Sequence, residues 1–467
     1  MKKYSHGRLG GQVRRACRKL VDKPTDWCVE TLLPQETVEQ VLRRQGIKFR
    51  DCLYTPLVTI WTFLYQVLSA DHSCRAAVAQ LLAFLSLAGE SGSAKTDPYC
   101  KARDRLPEAL CAELARESGQ ELHKRVGVWG PILKGRPVKI VDGTTGSMPD
   151  TAENQKEYPQ QSAQKPGLGF PILRWVALIS LSCGAVLDVA MGPYAGKRTG
   201  ETALLRQLLG GLRAGDVLLG DACYSNYWMI ALVLERGVDV VMYHDGKRRI
   251  DFRTGKRLGR DDHVVSWEKP KRPQWMDQSC YDRLPAQLSI REVRVEVSQR
   301  GFRTRRLILV TTLLDAVEYP REDLAAAYRA RWNAELDLRS IKQVMQMDVL
   351  RCKTPARVRK EIWMHMLAYN LVRKLMAEAA AANNLCPRDI SFKGTLQTLN
   401  SFAACGWSCS AKTWRQLYGA ILRAVATHRV RDRPDRVEPR AIKRRPKEQT
   451  LLTEPRQAAR KRLLERR

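Results

Sequence analysis

Acidic residues are scarce in this chain: 49 Asp and Glu stand against 80 Lys and Arg over 467 residues, a formal net charge of +31. A folded protein with that surplus has a polyanionic partner, either nucleic acid or an anionic membrane surface. Long hydrophobic runs are missing as well. The longest, residues 175–187, is broken by Ser180, Ser182 and Gly184 and closed by Asp188, short of the roughly 20 apolar residues that cross a bilayer. The N-terminus is basic, but no apolar segment follows it to make a secretory signal. No Cys-x-x-Cys and no His-Glu-x-x-His occurs, and the 13 cysteines are odd in number and scattered, which argues against a structural zinc or a disulfide framework. A Gly-x4-Gly-Lys-Ser/Thr phosphate loop is absent too, so ATP-driven chemistry is not indicated. What remains is a chain with reduced thiols, expected in the cytoplasm and associated with the nucleoid, with DNA rather than membrane as its partner.

Apolar residues make up 44% of the chain, enough to build a real core. Residues 1–27 read as a basic flexible leader. Helical periodicity at 38–45, 57–68, 76–88 and 108–126 marks 28–130 as a helical N-terminal domain. Eight Lys or Arg between Arg75 and Arg125 suit that domain to DNA. From 136 the texture becomes α/β. Strands are expected at 138–141, 172–181, 185–191, 217–219 and 238–243, with helices at 201–209 and 226–235. The order β-β-β-α-β-α-β is that of a ribonuclease-H-like fold. A β-rich insertion at 245–312 opens with the basic run from Lys247 to Arg260 and interrupts this catalytic domain, which spans 136–244 and 313–350. A helical C-terminal region (351–428) and a basic tail (429–467) follow. The tail carries 15 Lys and Arg against 6 Asp and Glu.

Chemistry concentrates in Tyr328, Arg331, Glu335 and Lys342, whose offsets of three, seven and fourteen fall on one stripe of a continuous helix. One carboxylate among cationic and hydroxyl donors suits a metal ion beside a phosphate. The plainer reading pairs Glu335 with Arg331 or Arg339 on a solvated face. Two upstream aspartates bear on the choice: Asp142 follows the strand at 138–141, and Asp221 follows the strand at 217–219. Magnesium prefers oxygen ligands, and two-metal phosphoryl chemistry needs carboxylates to hold ions roughly 3.5–4 Å apart. Either Asp alone also reads as a turn residue or cap. The competing acids are Asp150, Asp188, Asp216 and Asp337. Asp337 sits roughly 200° around the helix from Glu335, and Asp216 opens a strand.

The Tyr-x2-Arg-x3-Glu-x6-Lys signature after two strand-end aspartates resembles the DDE transposases of the fourth bacterial insertion-sequence family. The resemblance extends to Thr96-Asp-Pro-Tyr-Cys-Lys-Ala-Arg-Asp-Arg-Leu-Pro107, to Met148–Gln155 with Gly167–Pro171, and to Val437–Lys447. One departure is Cys223, where members often place Gly or Ala two residues after the Asp. The resemblance implies that Asp142, Asp221 and Glu335 ligate two Mg²⁺ ions, with Mn²⁺ as a substitute, and that Tyr328, Arg331 and Lys342 grip phosphates. In relatives that form a DNA hairpin, a flipped base stacks on an insertion-domain Trp, for which Trp267 and Trp275 are the candidates. Lys247, Arg248 and Arg249 are expected on the DNA backbone. The expected activity is a transposase acting on double-stranded DNA, at element ends and target, as a homodimer in the synaptic complex. The alternatives are a Mg²⁺-dependent nuclease or junction resolvase on the same fold, and a catalytically retired DNA-binding copy.

Overall fold

The computed structural model describes residues 32–49, 52–87, 89–127, 132–197, 199–297, 305–403, 411–430 and 450–465. The leader at 1–27 and the tail segment at 431–449, with Val437–Lys447, lie outside the described residues. Helices α1 (Gln35–Arg44), α2 (Pro56–Leu68), α3 (Cys74–Leu87), α4 (Asp97–Arg105) and α5 (Glu108–Val126) come first. The start of α2 is set by Thr55, whose side chain accepts from the Val58 N–H, and by Pro56, which needs no donor partner there. Gly127, at φ +69°, closes α5.

A nine-stranded sheet follows, in the order β3-β2-β1-β4-β5-β9-β8-β7-β6. Strands β1 (Val138–Ser147), β2 (Ile172–Ser180) and β3 (Val186–Pro193) form an antiparallel meander, with the short helix α6 (Ala152–Glu157) between β1 and β2. Helix α7 (Glu201–Leu208) leads to β4 (Val217–Gly220), which runs parallel to β1. Helix α8 (Tyr227–Leu234), capped by the Asn226 side chain, leads to β5 (Asp239–Tyr243), parallel to β4. Beyond it come β6 (Lys256–Gly259), β7 (Asp262–Glu268), helix α9 (Gln278–Arg283), β8 (Gln287–Val297) and β9 (Arg305–Thr311). These later strands do not make a sheet of their own: β9 pairs antiparallel with β5, so residues 245–312 widen the same sheet.

Helices α10 (Arg321–Ala330), α11 (Asn333–Arg339) and the 28-residue α12 (Pro355–Ala382) complete the core, followed by α13 (Phe392–Ala403), α14 (Ala411–Thr427) and α15 (Arg456–Glu465). Strand alternation divides the buried residues into two layers. Ile140, Trp175, Ala177, Leu219, Val241 and Leu309 pack with α10–α12 and the N-terminal helices. Val141, Val176, Leu178, Leu218, Val240 and Val310 pack with α7 and α8. Helix α5 comes so close to β3 that a Cβ on Gly119 would lie 2.1 Å from the Val186 carbonyl oxygen. Asn370 of α12 fastens the same spot, accepting from the Val186 N–H and donating to its carbonyl, each at 2.8 Å. No described helix is long and apolar enough to cross a membrane.

Two local expectations need correction. Strand β1 does not stop at 141: β2 pairs with it residue by residue from Lys139↔Ser180 to Ser147↔Ile172, which carries the Gly- and Thr-rich stretch along in extended form. The continuous helix expected to carry Tyr328, Arg331, Glu335 and Lys342 on one stripe is interrupted. At Arg331 and Trp332 the bonds tighten to i→i−3, and at Ser340–Val344 they loosen into a π turn. The chain then bridges to the end of β1, at Ser147↔Val349, before α12 begins.

Candidate active site

Parallel pairing of β1 with β4 ends near Ile140↔Leu219. Asp142 and Asp221 each lie two residues further on, so a common register sets them side by side where the strands part. Asp142 shares the face of Ile140 and so looks toward α11. A cleft of about 480 Å³ opens here, lined by Asp142, Thr144, Asp221, Arg331, Glu335 and Lys342. The Arg331 guanidinium is buried and lies 3.9 Å from both Asp142 Oδ2 and Glu335 Oε1. Its Nε is buried without a hydrogen-bond partner. Glu335 is exposed at the mouth. Lys342 Nζ donates to Thr144 Oγ1 at 3.1 Å.

Each aspartate accepts a backbone N–H, from Gly143 at 2.9 Å for Asp142 and from Ala222 at 2.7 Å for Asp221. Burial pushes the Asp142 carboxyl up to about 6, against the opposing pull of Arg331 and the Gly143 N–H, with Glu201 and Glu335 adding to the rise. The donor set is all oxygen, which suits a hard divalent cation. As they stand, no three acidic, His or Cys side chains among the described residues converge tightly enough to hold an ion. Instead the Arg331 charge balances Asp142 and Glu335.

The competing acids are engaged elsewhere. Asp337 is fully buried and accepts from Arg373, from Arg388 at 2.7 Å and from Tyr369 at 3.0 Å. Asp216 pairs with buried Lys139 at 2.6 Å, Asp188 with Arg116 at 2.6 Å, and Asp150 accepts from Gln155 at 2.8 Å.

The other expected residues are distributed differently. Tyr328 is buried and does not line the cleft; its ring lies 5.4 Å from the Arg331 guanidinium carbon and is tilted 45° against the Tyr243 ring, 6.4 Å between centroids. Burial pushes its phenol up to about 12. The break at Arg331 is what parts Tyr328 from the stripe. Trp267 is also buried, on the α7–α8 side of the sheet and so on the face opposite Asp142. Its Nε1 donates to Glu292 at 3.1 Å and Arg248 covers its ring at 4.2 Å, so it offers no open face to a base. Trp275 is half-buried in the same layer, with Arg206 over its ring at 3.8 Å. Lys247, Arg248 and Arg249 form an exposed turn after β5.

Two neighbours of the acids were not foreseen in these roles. Thr144 receives Lys342, and its signal was hidden by the apparent end of β1. Glu201 opens α7, accepts from Tyr224 Oη at 3.2 Å and lies against Gly143. Its placement three and four residues before Leu204 and Leu205, a carboxylate on an apolar helix face, is the signal that marks it.

Two aspartates side by side where parallel strands part, faced by a broken helical segment carrying Arg, Glu and Lys, suit chemistry on phosphodiesters. The profile described as "Transposase DDE domain" matches residues 133–371, just over half of the chain and all of the cleft residues. The chain belongs to this family of DNA-cleaving and strand-transferring enzymes. It is 25% identical over 353 residues to the transposase InsG of insertion sequence element IS4 from Escherichia coli strain K12, covering 74% of this chain and 76% of that one. This bears out the resemblance to the fourth insertion-sequence family. A 65-residue stretch is 35% identical to the transposase of insertion sequence element IS421 from Escherichia coli, covering 14% of this chain and 18% of that protein. Among solved structures, a piggyBac transposase synaptic complex with hairpin DNA aligns at a TM-score of 0.41 and 8% identity over 84% of each chain, too distant to carry an argument.

Proposed function

We propose that this transposase recognises the terminal inverted repeats of its own insertion sequence, frees a 3′-OH at each end by hydrolysis, and joins it to target DNA. The observation that carries the reading is the meeting of Asp142, Asp221, Glu335, Arg331 and Lys342 in one cleft. Its α/β core is read as ribonuclease-H-like, flanked by the N-terminal helices (28–130) and the strands of 245–312 as DNA-binding parts. The exposed Lys247–Arg249 turn and the basic tail supply further backbone contacts. Asp142, Asp221 and Glu335 are the residues that would hold two Mg²⁺ ions, or Mn²⁺ in their place. Such ions supply Lewis acidity and a lowered pKa for bound water.

The chain's own groups do the rest. Arg331 and Lys342 neutralise non-bridging oxygens of the scissile phosphate, with Thr144 holding the lysine and Tyr328 backing the arginine. In the first step a water oxygen bonds to phosphorus, the P–O3′ bond breaks, and the 3′ oxygen leaves as a hydroxyl. In the second, that 3′ oxygen bonds to a target phosphorus and displaces the target's own 3′ oxygen, so no protein–DNA bond forms. Two ends must react together, so the working unit is a homodimer on DNA, at the nucleoid in the cytoplasm.

The test is a Mg²⁺-dependent reaction with a DNA end from the gene's flank and a supercoiled target plasmid. Joined products support the proposal. Cleavage without joining identifies a nuclease, and tight, salt-sensitive binding without chemistry identifies a retired copy.

A further inference from the structure

We propose that Glu201 is a positioning residue that fixes the spacing of Asp142 and Asp221 from the opposite face of the sheet. The inference rests on the reading of those aspartates as metal-holding. Gly143, next to Asp142 on β1, points by strand alternation away from the cleft, toward α7. There Glu201 fills the space a side chain would occupy: a Cβ on Gly143 would lie 2.6 Å from Glu201 Cδ and 2.9 Å from Oε1. The other oxygen, Oε2, accepts from the buried Tyr224 hydroxyl at 3.2 Å and from Cys223 Sγ at 3.6 Å. Tyr224 and Cys223 belong to the short turn that Asp221 caps with its own side chain.

One carboxylate therefore touches the backbone after the first aspartate and holds the turn after the second. Helix α7 anchors it, since Leu204, Leu205 and Leu208 are buried one and two turns further on. This makes Cys223 intelligible too: the position two residues after Asp221 is occupied by a weak donor to Glu201.

The experiment compares Glu201→Ala, Glu201→Gln, Tyr224→Phe and Asp142→Ala with wild type. Mn²⁺ binding to the DNA-free protein is read by electron paramagnetic resonance, and the Mg²⁺ concentration giving half-maximal cleavage is read in parallel. Supporting partners of metal ligands change metal affinity by about 10–100-fold. Glu201→Ala is expected to weaken Mn²⁺ binding and raise the Mg²⁺ requirement by at least about tenfold. Glu201→Gln, which keeps an acceptor for Tyr224, should recover part of that loss, and Tyr224→Phe should show a smaller shift in the same direction. Unchanged metal binding in Glu201→Ala, while Asp142→Ala loses it, overturns the positioning role alone. Unchanged binding in both overturns the metal-site reading beneath it. A loss in Glu201→Ala that comes with a collapsed melting temperature and no recovery in Glu201→Gln reduces Glu201 to a packing residue and also overturns the proposal.

Discussion

Replacing Asp337 by Asn should damage stability, whereas replacing Glu335, two residues earlier, should damage chemistry. Asp337 is fully buried and is the shared acceptor of Arg373 on α12 and Arg388 beyond it, with Tyr369 completing the set. Arg388 also donates to the carbonyls of Ser180 and Leu181, at 2.9 and 2.8 Å. The cluster thus ties α11 to α12 and to the turn between β2 and β3. Asn fits the space and keeps an acceptor, but it strands two guanidinium charges in the interior. Breaking a buried pair on one side costs about 3–5 kcal/mol. Against the roughly 5–15 kcal/mol of a folded domain, that is a large fraction. Urea unfolding followed by Trp fluorescence should show a clearly lowered midpoint for Asp337→Asn. Cleavage per folded molecule, measured well below that midpoint, should persist. An unchanged midpoint with abolished cleavage would make Asp337 a catalytic acid and not a structural one.

His72 is buried against His365, and burial, reinforced by the His365 and Arg351 charges and opposed by Asp71, lowers it to about 4 from 6.5. Its contribution is fully present above pH 6.5 and is lost as pH falls toward 4. His72→Asn, tolerated at the left-handed φ of +53°, should flatten the loss of stability between pH 6.5 and 4, and equal acid sensitivity in both proteins would contradict this. Removing residues 429–467 should weaken DNA binding and reduce the slope of log affinity against log salt; an unchanged slope would show that the tail leaves DNA untouched.

Much of the sheet and the site could be read from the residues, and the misreadings have local causes. Glu108–Val126 and Asp239–Tyr243 form as expected because periodicity and bounding residues agree there. The full length of strand β1 is not legible locally, because Gly143 and Gly146 are poor strand formers; pairing with β2, a contact between distant residues, overrides that preference. Arg331, Glu335 and Lys342 share the cleft although their helix is broken, whereas Tyr328 on the far side of the break is buried. The overwound turn at Arg331 has no Pro or Gly to announce it. Trp267 reads as an insertion aromatic, but its partners, Leu288 across the ladder and Glu292, lie some twenty or more residues away in sequence. The signal of Glu201 is not distinct in this role, because an acid in a first helical turn is ordinarily a dipole partner.

On the proposed mechanism Asp142, Asp221 and Glu335 supply the charge that the chemistry requires, and Glu335→Gln removes one part of it, with DNA-end binding and Mg²⁺-dependent cleavage measured on the same preparation. The exposed Glu335 holds no buried structure together, so binding and melting temperature should stay near wild type while cleavage falls to background. Cleavage by Glu335→Gln at the wild-type rate would remove Glu335 from the metal site.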